Sequence, residues 1–296
     1  MPAIEHANVH ANGLNFHCAR AGRGKLMLFL HGFPEFWRAW HRPLEHFGAR
    51  GWLAVAPDLR GYNLSDKPEG VEAYRAKHLI ADIGALATAH TADKFVLVAH
   101  DWGGAAAWGF AMAHPERLSH LVIINSPHPY VFWRELVRNP AQREASQYML
   151  LFRDPSAEQV LTEDGFARLL ASFAQFGSDV MNDADRSAYV DAWSQPGALT
   201  GSLNYYRASP TYPPTDADPG PAKVTLDPAR FVVRVPTLVL WGERDRALLT
   251  GCLDGLEQFV PDLKIVRVPD ASHWIHHEQP GRVISEIEAF VGAPRG

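Results

Sequence analysis

Cysteine is scarce in this chain: 296 residues include only Cys18 and Cys252, and the two have no metal-ligand spacing. That argues against a disulfide framework. The pair reads as small core residues, with a single disulfide as the alternative, and a reducing cytoplasm is the default setting. Long apolar runs are missing as well. No stretch reaches the roughly 18 to 20 residues that span a bilayer. The first residues, Met1-Pro2-Ala3-Ile4-Glu5-His6, offer neither the basic nor the apolar region of a signal peptide. Charge of one sign is not in excess: the net charge of −5 is modest and scattered. This speaks against nucleic acid or an anionic membrane as a partner. No internal repeat or low-complexity segment interrupts the chain. What is present is an apolar fraction of 47%, ordinary for a globular protein. The chain is long enough for one large domain with an insertion, or for two small domains.

Short apolar runs alternate with helical periodicity. Strands are expected at 8–10 and 14–19, joined by Asn12-Gly13, a pair suited to a type I′ hairpin turn. Further strands are expected at 25–30, 52–56, 95–99, 121–124, 237–241 and 264–268. Residues 78–90 carry apolar side chains at Leu79, Ile80, Ile83, Leu86 and Ala87, which is helical spacing. Helices also fit 103–113, the region around 253–259, and 280–291. Strands bracketed by helices imply a mostly parallel sheet with helices on both faces. The stretch 127–230 breaks the rhythm. It holds amphipathic helical segments such as 166–176, no convincing strand, and a Pro-rich run at 210–221 that reads as loop. The expectation is a helical cap over 127–230, inserted into a core built from 1–126 and 231–296. A helical extension packed on the side is the alternative.

One polar residue stands out where a strand runs into a helix. In Val98-Ala99-His100-Asp101-Trp102-Gly103-Gly104 an apolar strand meets small residues on both sides of Asp101, then continues as an Ala- and Gly-rich helix. That is the specification of a nucleophile elbow, whose tight turn leaves no room for bulky neighbours. Many hydrolases of this pattern carry serine there. A carboxylate is ionised at neutral pH and attacks carbon without first losing a proton. The resulting alkyl ester must then be hydrolysed, which points to enzymes that open epoxides or break carbon–halogen bonds.

Asp245, in Trp241-Gly242-Glu243-Arg244-Asp245, follows the carboxyl end of a strand, where catalytic loops of such sheets lie. His273, in Asp270-Ala271-Ser272-His273-Trp274, follows the next strand. With 15 histidines in the chain, His273 carries weight only through that position. Glu243 and Asp270 compete with Asp245 for the acid role. The order nucleophile, acid, histidine is that of the α/β-hydrolase fold. His31-Gly32-Phe33-Pro34 follows a strand, as an oxyanion-hole loop should. The backbone amides of Phe33 and Trp102 are its expected donors.

These motifs resemble the epoxide-hydrolase family of the α/β-hydrolase superfamily across nearly the whole chain. The resemblance rests on His31-Gly32-Phe33-Pro34, Asp58-Leu59-Arg60-Gly61-Tyr62, His100-Asp101-Trp102-Gly103-Gly104, Gly242 with Asp245, and Ser272-His273-Trp274. Leu203-Asn204-Tyr205-Tyr206-Arg207 is similar to the family's cap element Asn-x-Tyr-Arg, and Gln147-Tyr148-Met149-Leu150-Leu151-Phe152 to the segment with its other cap tyrosine. The likeness implies Tyr206 and Tyr148 as donors to the epoxide oxygen. Tyr205 and Tyr206 would point about 100° apart on a helix, so one of them faces the site. Ala99 and Asn63 depart from the family pattern without touching the chemistry.

The resemblance implies an α/β-hydrolase fold with an inserted helical cap and an epoxide hydrolase. Asp101 would form a hydroxyalkyl ester, and water activated by His273 and Asp245 would cleave it to a vicinal diol. The implied partners are an apolar epoxide and water, with no metal or organic cofactor; a homodimer is compatible with it. His31, Phe36, Trp37, Phe152 and Trp193 are the expected substrate-binding residues, with Phe173 and Phe176 as further pocket aromatics; most could equally be core. A haloalkane or haloacid dehalogenase using the same Asp101 is the runner-up, since the Trp102 indole could hold a halide. A ligand-binding protein on a retired hydrolase scaffold is the reading from another class.

Overall fold

The strand that leads into Asp101 lies inside the sheet, with three parallel strands on one side. The computed structural model describes residues 3–176 and 181–293. Its strands are β1 (Glu5–Ala11), β2 (Leu14–Ala21), β3 (Lys25–Leu30), β4 (Trp52–Pro57), β5 (Phe95–His100), β6 (Leu118–Ile124), β7 (Thr237–Gly242) and β8 (Leu263–Val268). They form one sheet in the order β1-β2-β4-β3-β5-β6-β7-β8. β1 and β2 are an antiparallel hairpin, and β2 pairs antiparallel with β4. From β4 to β8 every pairing is parallel. Asn12 and Gly13 both have positive φ, 47° and 75°, as the expected hairpin turn requires.

Eleven helices accompany the sheet among the described residues: α1 (His41–Gly48), α2 (Ala76–His90), α3 (Asp101–Ala113), α4 (Pro129–Arg138), α5 (Pro140–Ala145), α6 (Tyr148–Arg153), α7 (Ala157–Gln175), α8 (Asp183–Trp193), α9 (Ala198–Ala208), α10 (Ile275–Glu278) and α11 (Pro280–Val291). The inner strands are apolar on both faces, so both must be covered. Leu26, Leu28 and Leu30 of β3 face α2 and α3, where Leu79, Ile83, Leu86, Ala107 and Phe110 bury them. Met27 and Phe29 face the other way, onto Leu44 and Phe47 of α1 and Val283 and Ile287 of α11. Each such side chain taken fully from water contributes roughly 1.5–3 kcal/mol.

Several expectations need amending. α1 was not expected: only Pro43, Leu44 and Phe47 of its eight residues are buried, too few for a clear period. The helix expected around 253–259 is instead two 3₁₀ turns, Thr250–Leu253 and Leu256–Gln258, because Gly255 between them is left-handed (φ 74°). The segment 166–176 is helical, but α7 is broken before it, at residues 163–166. Cys18 and Cys252 are buried and free, not joined.

Between β6 and β7 the described residues build α4 to α9 and no strand. Side chains tie this stretch to the sheet's loops. Trp193 Nε1 donates to the Pro34 carbonyl at 2.6 Å, Tyr205 donates to the Arg60 carbonyl at 3.0 Å, and Arg38 pairs with Asp185 at 2.8 Å. No helix among the described residues is long and apolar enough to cross a membrane.

Candidate active site

Asp101 takes a left-handed backbone, φ 47°, where β5 turns into α3. A non-glycine residue held there costs of order 1–3 kcal/mol and persists only where its surroundings fix it. Here they do. The Ser126 hydroxyl donates to the Asp101 carbonyl at 2.7 Å, and the Phe33 amide donates to Asp101 Oδ1 at 2.8 Å. Two glycines are required by close approach. A Cβ on Gly32 would sit 2.3 Å from Asp101 Cβ, and one on Gly103 would sit 2.5 Å from the His31 carbonyl oxygen. The Trp102 amide belongs to the first turn of α3, where N–H groups have no carbonyl one turn back.

Asp245, just past β7, is fixed by four donors. Oδ1 accepts from the amides of Ala247 (2.8 Å) and Leu248 (2.9 Å); Oδ2 accepts from Asn125 Nδ2 (2.8 Å) and His273 Nδ1 (2.7 Å). With Nδ1 donating to Asp245, His273 turns Nε2 toward Asp101, 3.9 Å from Oδ2. Burial works against a charged imidazole, but the Asp245 carboxylate, helped by Asp101 and Glu35, outweighs it and lifts His273 to about 9. The competing acids are elsewhere: Glu243 pairs with Arg267 at 3.1 Å, and Asp270 is exposed. Asn125 was not expected. It stands at φ 36° directly after β6, bonding Asp245 and both backbone groups of Gly242. Its signal was a polar residue at the carboxyl end of an apolar strand.

Asp101 and His273 open onto a cavity of about 20 Å³, lined also by Phe33, Tyr148, Phe152, Phe176, Tyr206 and Trp274. Such a space holds about one water. Tyr148 begins α6 and Tyr206 lies near the end of α9, so both come from the helices between β6 and β7. Their rings meet edge to face at 6.3 Å. Burial, then the nearby Asp101 charge, pushes both phenols well above 10. They therefore stay protonated and can donate. Tyr205 points away, its hydroxyl on the Arg60 carbonyl.

Phe152 lines the cavity; the other four expected substrate contacts do not. His31 is a buried pin: Nε2 accepts from the Leu59 amide (3.0 Å), which leaves Nδ1–H for the Gly32 carbonyl (2.9 Å). Phe36 packs against Tyr189 at 5.0 Å, and Trp37 packs against His6 at 4.8 Å. Trp193 spends its indole N–H on Pro34. These aromatics were indistinguishable from pocket residues by type alone. Phe173 stacks on the back of Trp274 at 4.4 Å, whereas Phe176 reaches the cavity.

The model of the alpha/beta hydrolase fold matches residues 25–280. The chain is 36% identical to epoxide hydrolase 4 of Mus musculus over 97% of this chain and 79% of that protein. It is an α/β-hydrolase of the epoxide hydrolase family. This hydrolase is also 38% identical to the AB hydrolase superfamily protein YfhM of Bacillus subtilis over 96% of each. A solved structure among novel epoxide hydrolases from metagenomes of hot environments is 39% identical, with a TM-score of 0.89 over 98% of this chain and 99% of that one.

Proposed function

We propose that this enzyme opens an epoxide by attack of Asp101 and releases a vicinal diol by hydrolysis of the ester. An Asp101 oxygen bonds to an oxirane carbon as the carbon–oxygen bond of the ring breaks. The departing oxygen takes a proton from Tyr148 or Tyr206. Esterification abolishes the Asp101 charge, one of those that hold the proton on His273. The imidazolium proton then restores the phenol, and His273 enters the second step neutral. It takes a proton from water, whose oxygen attacks the Asp101 carboxyl carbon. The amides of Phe33 and Trp102 stabilise the oxyanion, each such donor being typically worth about 2.7–4 kcal/mol. Collapse expels the diol oxygen, which takes the imidazolium proton, and leaves Asp101 as its carboxylic acid. That acid proton passes to His273, restoring the Asp101 carboxylate and the imidazolium.

The observation that carries this reading is the pair of phenols on the same small cavity as Asp101 and His273. Two neutral O–H donors suit a departing alkoxide. The Trp102 indole stands edge-on to Tyr206 at 5.0 Å. We assign residues 127–230 as the cap and 1–126 with 231–296 as the core. The apolar lining suits an apolar epoxide, and two buried free thiols suit a reducing cytoplasm. The test is a single turnover in ¹⁸O-water. The label should enter the Asp101 carboxylate and be absent from the first diol. Label appearing directly in the diol would mean water attacks the epoxide itself.

A further inference from the structure

Behind His273, on the side away from the cavity, lies a second cluster that the proposed reaction does not use. Glu35 follows Pro34 and is fully enclosed. His276 Nε2 reaches Glu35 Oε1 at 3.1 Å and Oε2 at 3.2 Å, while His277 Nε2 reaches Oε1 at 2.5 Å. His100 Nδ1 and the Tyr189 hydroxyl meet the same carboxylate at 3.0 and 3.3 Å. We propose that Glu35, His276 and His277 form a binding site for one divalent transition-metal cation of the zinc–cobalt class.

Several observations support the assignment. The ligating atoms of the three residues all lie within 4.8 Å of one another. Tetrahedral zinc with bonds of about 2.0–2.1 Å sets its ligand atoms about 3.3–3.4 Å apart, so the 2.5 Å Glu35–His277 contact would open by about 0.9 Å and the widest pair, at up to 4.8 Å, would close by up to about 1.4 Å. Two imidazoles and one carboxylate are a borderline donor set that favours zinc, cobalt or nickel over magnesium or calcium. Three protein ligands leave a fourth position for water. His276 Nδ1 is buried without a hydrogen-bond partner. Moving its ring proton from Nε2 to Nδ1 therefore breaks no bond at Nδ1 and presents a lone pair to the cation. Entry is from the His277 side, where that side chain is 17% exposed while those of Glu35 and His276 are at 0%. The site adjoins the candidate triad through His100, whose Nε2 bonds the His273 carbonyl at 3.0 Å.

The test uses the full, untagged protein, stripped with chelator and titrated with Co²⁺ and then Zn²⁺. One equivalent of Co²⁺ should give the visible absorption of a low-coordinate centre, and Zn²⁺ should displace it while excess Mg²⁺ does not. His277→Gln, at the rim of the cluster, should weaken binding at least about tenfold, with folding checked by circular dichroism. Glu35→Gln is the second check and should do the same. Asp101→Asn should bind like the wild type. Absence of stoichiometric uptake would overturn the proposal, as would undiminished binding by folded His277→Gln or Glu35→Gln protein.

Discussion

Tyr206→Phe removes one hydroxyl and keeps the ring, which packs edge-on against Phe33 at 5.3 Å, Trp102 at 5.0 Å and Phe152 at 5.0 Å. The fold should therefore survive, and the loss should fall on the opening of the epoxide. A preorganised donor to a developing oxyanion is typically worth about 2.7–4 kcal/mol, or roughly 10²–10³ in rate. Tyr148 still faces the same cavity, so the low end, about 10²-fold, is the expectation for Tyr206→Phe alone. The phenols share one oxygen, and removing both should cost more than either alone. The assay is single-turnover formation of the Asp101 ester with enzyme in excess, which separates ring opening from hydrolysis. Tyr205→Phe is the internal control. It loses only the bond to the Arg60 carbonyl, worth about 1 kcal/mol of stability, and should alkylate at the wild-type rate. Wild-type alkylation by Tyr206→Phe, or slowed alkylation by Tyr205→Phe, would refute the reasoning.

Three further outcomes follow from the same geometry. His273 is raised from 6.5 to about 9, so it contributes stability that is fully present below pH 6.5 and lost as pH rises through 9. Urea unfolding should show a loss of up to about 3 kcal/mol across that window, and His273→Gln should flatten it; an equal fall in the variant would contradict the assignment. Gly32→Ala would place a methyl 2.3 Å from Asp101 Cβ, displacing the nucleophile. Its kcat/KM should fall by about 10²-fold or more, and wild-type kinetics would show that the loop yields freely. Arg60 and Asp82 pair at 2.5 Å with side chains only 5% and 6% exposed. Arg60→Leu strands the Asp82 charge, costs about 3–5 kcal/mol and lowers Tm by on the order of 10 °C; an unchanged melt would place Asp82 in water.

The parallel core was legible because its strands are short, continuous apolar runs, and buried strands have no other pattern. Asp101, Asp245 and His273 were legible because each is a polar residue just past such a run. Asn125 has the same signature after β6 but lacks an ionisable group, and so it was not singled out. Tyr206 could be separated from Tyr205 only by likeness to a family pattern. Nothing local distinguishes two adjacent tyrosines on α9; the Arg60 carbonyl, 145 residues away, captures one of them. His31, Phe36, Trp37 and Trp193 were expected at substrate for their chemistry. In the structure they are placed by partners distant in sequence, such as Leu59 for His31 and Pro34 for Trp193. The Glu35 cluster was invisible for the same reason, since its members lie at 35, 100, 276 and 277.

The central claim is that Asp101 becomes covalently bonded to the whole epoxide. His273→Gln removes the base for the second step while leaving Asp101, Tyr148 and Tyr206 in place. Incubated with an aryl epoxide, this variant should gain the full mass of one epoxide, and peptide mapping should place it on Asp101. Incubated with a haloalkane, it should release no halide. Halide release without an epoxide adduct would contradict the account and make the carbon–halogen bond the true target.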